Sequence, residues 1–266
     1  MGMGGACIVS SRGSDAIGWN PAGLAVGSAG DLVFTHARPF QLISFTSAGF
    51  TARLREGLLM GGGFQASGDD VLREHQLSVS LGYDLSSRIR GCYTGVGLRM
   101  KHAVFGDDEE ASGNVSGHAV GYGVDLGVLV RVSPLISTGL VLRDVLNTVS
   151  WNSSTQGTYA QSVPARLVLG CALVGFQPVR VEVDWEKSLY SDTHDCIRVG
   201  AEAILLNRLF LRAGWVQDSA GEDPSYSAGL GVRLDRLRTA DVEVDVAYSL
   251  HALGNTVYAS LRLRLK

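Results

Sequence analysis

The sequence predicts an all-β fold: a 14-stranded antiparallel transmembrane β-barrel over residues 31–266, with residues 1–30 forming a small N-terminal plug, or hatch, in the lumen. Three observations predict it. Period-two alternation runs through nearly the whole chain after residue 30. The polar face of the strands is rich in glycine, while the apolar face is almost free of charge. The links between strands alternate between short and long.

The alternation is plainest in four segments. Val120, Tyr122, Val124, Leu126, Val128 and Val130 oppose Gly121, Gly123, Asp125, Gly127 and Arg131. Val179, Val181, Val183 and Trp185 oppose Arg180, Glu182, Asp184 and Glu186. Val242, Val244, Val246 and Tyr248 oppose Glu243, Asp245 and Ala247, and Val257, Leu261, Leu263 and Leu265 oppose Tyr258, Arg262 and Arg264. A two-residue period is that of a strand with two unlike faces. Cutting at the turn residues gives strands at 31–37, 42–54, 57–66, 75–85, 92–104, 118–132, 136–145, 164–174, 178–188, 196–205, 208–217, 226–235, 240–251 and 255–265. The count is even, as expected for a single-chain bacterial barrel with both termini in the periplasm.

A soluble sandwich also alternates, so the other two observations decide. Gly95, Gly97, Gly121, Gly123, Gly229 and Gly231 stand on the polar parity, where a water-facing sheet carries longer polar side chains. Glycine there suits a lumen in which other backbone comes close. Charges avoid the apolar parity, as lipid contact requires, because one at midplane costs ~2–4 kcal/mol. Short links at 55–56, 86–91, 133–135, 175–177 and 206–207 read as periplasmic turns. Longer ones at 67–74, 105–117, 146–163, 189–195 and 218–225 read as outer loops.

Composition removes other classes. With 18% charged residues and a net charge of −3, no basic stripe invites nucleic acid. No apolar run approaches the ~20 residues of a membrane helix. The four cysteines form no C-x-x-C pair and the six histidines share no ligand spacing, so neither metal nor cofactor is expected. Gly95-Val96-Gly97 and Gly121-Tyr122-Gly123 do not continue as dinucleotide loops, and no nucleophile elbow occurs, so no enzyme is expected. Asp107-Asp108-Glu109-Glu110 lacks calcium-loop spacing and reads as a solvated acidic loop. No secretory signal is visible at Met1, so the sequence is expected to be a mature or truncated form.

Residues 1–30 do not alternate and are rich in small residues. Asn20-Pro21 reads as a turn, and Ser14 as the cap of a short helical turn before it. Met3-Gly4-Gly5-Ala6 followed by Asp15-Ala16 and Asn20-Pro21-Ala22-Gly23-Leu24-Ala25 resembles the hatch of the FadL-type outer-membrane transporters, in particular their compact branch of PorV-like and spirochaete proteins. Gly139 to Asn147 is similar to that family's strand-to-loop junction. The resemblance implies a fourteen-strand barrel in the bacterial outer membrane that takes up hydrophobic small molecules passively, long-chain fatty acids being the type substrate. The implied partners are outer-membrane lipid and a hydrophobic ligand. A PorV-like module that docks a partner protein and a general porin stand as alternatives.

Three groups of residues carry the functional expectations. Asn20, Pro21, Ala22 and Gly23 form the hatch motif. Gly61, Gly62 and Gly63 fall on the third strand, where the resemblance implies a lateral gate at a kink facing Asn20-Pro21-Ala22. Glycine also simply makes room for a plug. The lumen charges Arg99, Asp125, Arg131, Arg180, Glu182, Asp184, Glu202, Arg233, Glu243 and Asp245 carry both signs. They are expected to form cross-strand ion pairs that stiffen the wall and hold the plug. Trp151, Trp185, Trp215, Tyr190 and Tyr226, near strand ends, suit an interfacial aromatic girdle.

Overall fold

The computed structural model describes residues 2–106, 116–176, 178–190, 194–220, 224–234 and 240–265. Among these residues the strands are β1 (Asp31–Arg38), β2 (Ser44–Arg55), β3 (Leu58–Gly68), β4 (Leu72–Asp84), β5 (Cys92–Phe105), β6 (Gly117–Arg131), β7 (Ile136–Ser153), β8 (Gly157–Gln161), β9 (Arg166–Leu173), β10 (Val179–Ser188), β11 (Cys196–Leu205), β12 (Leu209–Asp218), β13 (Ser225–Leu234), β14 (Ala240–His251) and β15 (Gly254–Leu265). Every pairing is antiparallel between neighbours, β1 closes onto β15, and β7 pairs with β6 and β9. The closed wall therefore has the fourteen strands the alternation predicts. The remaining strand, β8, pairs only with the outer part of β7, from Val149↔Gln161 to Ser153↔Gly157.

That hairpin corrects the expected loop at 146–163. β7 continues to Ser153 because Trp151 and Tyr159 face each other across the hairpin with stacked rings 6.4 Å apart, and Phe105 lies 6.1 Å from Trp151. The link at 67–74 also shrinks to 69–71, since β3 runs to Gly68 and the Asp69 carboxylate accepts the amides of Val71 and Leu72, both at 2.9 Å. The acidic run 107–110 and the loop 107–115 lie outside the described residues.

The outward face is apolar and uncovered. Phe34 is 51% exposed, Val79 52%, Tyr122 50% and Val246 50%, on four separate strands. A continuous apolar surface of this kind faces lipid in a spanning barrel. Trp185, Trp215 and Tyr226 keep the outward parity of the girdle. Trp151 does not: it stands opposite buried Ala119, on the lumen side.

The lumen is filled by the N-terminal residues, folded into single turns at Gly13–Asp15, Ala16–Trp19 and Pro21–Leu24. Asn20 is extended, at φ −149° and ψ 107°, as a residue before proline prefers. Val9 and Ala22 pack on Leu129 and Ala172; Ile17 and Leu24 pack on Leu59; Ile8 packs on Val141 and Val168. Ile8, Val9 and Leu24 are at most 1% exposed, and burying such side chains stabilises by about 2 kcal/mol each. The inward glycines are the footprint of this segment. A Cβ on Gly95 would lie 2.3 Å from the Pro21 carbonyl carbon, and one on Gly214 only 2.1 Å from the Gly4 nitrogen. Ser14 does not cap the turn. Its amide and hydroxyl both donate to Asp31 Oδ2, at 2.8 and 2.7 Å, and so tie the plug to the start of β1.

Candidate functional site

Three anchors fix the plug. Asn20, fully buried, accepts the Ala22 amide at 3.1 Å and donates through Nδ2 to the carbonyls of Ile8 (2.9 Å) and Val128 (3.4 Å). One side chain thereby joins both halves of the plug to β6. Pro21 lies against Gly82, Gly95 and Gly127, and Ala22 packs in the cluster under Tyr93, while Gly23 leaves no room for a side chain, since a Cβ there would be 2.4 Å from the Ser11 carbonyl oxygen. Replacing Asn20 with alanine orphans the Ala22 amide and the Ile8 carbonyl, each at about 1–3 kcal/mol. The expected outcome is an inserted barrel whose plug is cut by protease where the wild type resists.

The second anchor is a pair of carboxylates on β10. Asp184 Oδ2 accepts the amides of Cys7 (2.8 Å) and Ile8 (3.1 Å), and Glu182 accepts those of Val9 (2.6 Å) and Ser10 (3.1 Å). Neither forms an ion pair among the described residues, which corrects the expectation of a salt-bridged role for both. Burial first, then the charge of Glu182, pushes the Cys7 thiol well above its usual range, so it stays protonated. All four cysteines are free, with Cys171 exposed on the lipid-facing parity of β9. The third anchor is Arg262, which pairs with Asp15 of the plug and with Asp31 at 3.4 Å.

Among the described residues the other lumen charges form three groups, in one of which Glu186 pairs with Arg166 (2.9 Å) and Arg198 (2.8 Å). Arg99 pairs with Asp125 (2.5 Å) and Asp144 (3.0 Å), and the Asp144 amide donates to Asp125 at 2.9 Å. Asp144 reaches this point through a bulge: its φ is +52°, and residues 143–145 of β7 face Asp125 alone between the pairs Val124↔Leu146 and Leu126↔Leu142. The larger network runs Arg180–Glu202 (2.9 Å), Glu202–Arg212 (2.6 Å), Arg212–Asp245, and Glu243 with Arg233 (3.0 Å) and Arg264 (3.3 Å). Arg131 belongs to none of them. It is exposed at the end of β6 that leads into the short turn before β7, with no carboxylate within 4.0 Å among the described residues. An Arg99→Met barrel leaves two buried carboxylates facing each other, a loss of about 3–5 kcal/mol. Its heat-modifiable band should convert at a clearly lower temperature than wild type.

Among the cavities of the lumen are two of similar size. One of about 370 Å³ is lined by Arg12, Ile17, Phe45, Gln65, Arg180 and Tyr258 among others. Burial, then the Arg180 and Arg131 guanidiniums, bring the Arg12 guanidinium down to about 10, against the pull of Glu182. It still carries its charge at neutral pH. The other, about 350 Å³, lies at the outer mouth between Gln76, Lys101, Gly121, Val149, Trp151 and Val163.

The wall at Gly61 to Gly63 is not kinked. β3 pairs without a break to β2 from Met60↔Ala52 to Gly68↔Ser44 and to β4 over its whole length; the register shift lies lower, at Arg53/Arg55. Nor do Asn20, Pro21 and Ala22 face these glycines. Ile17 and Leu24 do: a Cβ on Gly61 would be 2.6 Å from Ile17 Cγ1 and 2.9 Å from Leu24 Cδ2. Gly62 points outward, where a Cβ would meet the Phe50 ring at 2.4 Å. An interruption lies elsewhere. β7 pairs with β9 up to Arg143↔Arg166 and with β8 from Val149↔Gln161, so residues 144–148 have no strand on that side. Asn147 closes the gap with its side chain, donating to the carbonyls of Val163 (2.9 Å) and Asp144 (2.6 Å) and accepting the Val163 amide (2.6 Å).

No protein-family model and no curated protein matches the chain. Solved structures do. The monoaromatic hydrocarbon channel CymD superposes with a TM-score of 0.70 over 98% of this chain and 94% of its own, at 15% identity. A Pseudomonas aeruginosa FadL homologue gives 0.68 over 98% and 95%, at 11% identity. This chain shares its fold with FadL-type channels. The Pseudomonas putida toluene transporter TodX gives 0.64 over 98% and 95%, at 14% identity. The fold likeness thus covers nearly the whole chain.

Proposed function

We propose that this chain is a passive channel of the bacterial outer membrane for hydrophobic small molecules, with residues 1–30 as hatch and 31–266 as barrel. The observation that carries this reading is a pair of cavities in a lumen into which the N-terminal plug is packed, one of them lined by Trp151 and Lys101. A large apolar solute that cannot cross the plug then needs a way through the wall. The interruption at Asn147 and Val163 offers one, since Val163 borders the outer cavity and Leu146, 66% exposed, faces lipid beside it. The ligand class covers monoaromatic hydrocarbons as well as long-chain fatty acids.

Uptake into vesicles tests the reading. Labelled toluene and labelled oleate should enter faster with the barrel than without it, and a sugar of similar size should not. Equal entry of the sugar would make the protein a general porin. No entry of any solute, together with a periplasmic or surface protein that co-purifies stoichiometrically, would make it a docking module. A disulfide between Asn147→Cys and Val163→Cys should slow uptake several-fold, and reductant should restore it.

A further inference from the structure

Four titratable side chains outside the lumen share a small area of wall. Arg73 and His75 on β4, His102 on β5 and His118 on β6 all stand in the outermost four residues of their strands, and all are exposed. Their parity is the outward one. His75 lies directly opposite His102, and Arg73 opposite Val104, which in turn faces His118. Immediately below them come Leu77, Met100 and Tyr122, paired across the same three strands and 50–56% exposed.

Among the described residues, the outward-facing neighbours of the patch include no acid. The imidazoles of His75 and His102 stack with centroids 6.5 Å apart and planes 13° apart, and Phe64 stacks on His75 at 6.0 Å. The neighbours across the outward face are Gly68, Ala66, Val104, Val120 and Asn152. Glu74 points the other way and accepts the Ser67 hydroxyl, and Asp69 is taken by the amides of its own turn. The outer ends of the far wall are different: Trp185, Trp215 and Tyr226 stand there, with Lys187 over the Trp185 ring.

We propose that Arg73, His75, His102 and His118 form a headgroup site that holds the phosphate of one anionic lipid in the outer leaflet, its acyl chains lying along Leu77, Met100 and Tyr122. A guanidinium presents a rigid fork of donors matched to phosphate oxygens, and three imidazoles add N–H donors around it. The apolar row beneath identifies the source of the phosphate as a lipid, because a soluble anion has no use for it. The site stands independently of what the channel carries.

Native mass spectrometry of the detergent-purified barrel, with equal amounts of phosphatidylglycerol and phosphatidylcholine added, tests it. The wild type should retain phosphatidylglycerol in preference. Arg73→Gln combined with His75→Gln, His102→Gln and His118→Gln should weaken retention at least about tenfold, the loss of a single charge-assisted contact. Lys187→Gln on the far wall should change nothing, and Arg73→Gln or His102→Gln alone should weaken retention if the quadruple variant does not insert. Equal retention by variant and wild type, or of both lipids by the wild type, overturns the proposal. So does displacement of the lipid by inorganic phosphate, which would mark a site for a soluble anion.

Discussion

A Gly95→Val barrel should insert normally yet lose its plug. The new Cβ falls 2.3 Å from the Pro21 carbonyl carbon and 2.5 Å from the Ala22 nitrogen, and both are backbone atoms with no rotamer to turn aside. Gly95 itself is flanked by Gly82 on β4 and Gly127 on β6, so within the wall a valine meets no neighbouring side chain, and its strand conformation suits a β-branched residue. The substitution therefore sets the wall against the plug, and the wall holds more hydrogen bonds. Planar-bilayer conductance should rise from near silence to that of an open lumen, while the folded band in unheated gels persists. A silent Gly95→Val barrel would mean that the plug can shift and still seal.

The second large effect is expected from β10. Glu182→Ala with Asp184→Ala removes the acceptors of four plug amides at once. Each buried amide left unmade costs about 1–3 kcal/mol, a combined loss comparable to the stability of a small domain. Residues 7–10 should detach, and limited proteolysis should clip the N-terminal segment from an intact barrel. Glu182→Gln with Asp184→Asn retains neutral acceptors and should clip more slowly. Identical proteolysis of both variants and wild type would show that apolar packing of Ile8 and Val9 suffices.

The wall was legible in the sequence because each strand reports its own two faces. Val120 to Val130 against Gly121 to Arg131 requires no knowledge of β5 or β7. Parity failed where the backbone leaves the regular strand. Counting from Leu140 and Leu142 sends Asp144 into lipid, and only its left-handed φ returns it to Arg99. Trp151 fell among Asn and Ser residues that read as a loop, so no parity reached it. The glycines at 61–63 could mean a weak strand or a close neighbour. The neighbour, Ile17, is more than forty positions away, and no local pattern announces it. The roles of Glu182 and Asp184 were hidden for a like reason, because their partners are backbone amides, which every residue but proline has.

The separations across that anchor set an order of assembly. The Cys7 amide finds its acceptor 177 positions later in the chain, and the Ser10 amide 172 later. The plug is made before the wall, but it has nothing to hold until β10 exists and the ring is curved enough to bring Leu129 and Ala172 to the same side of Val9. Until then its amides need water, since an unpaired N–H in hydrocarbon costs several kcal/mol. The plug, made before the wall, thus waits in the aqueous space until the wall is nearly closed. A barrel arrested before β10 pairs should leave its first thirty residues open to protease, and the moment they become resistant dates the closure of the wall.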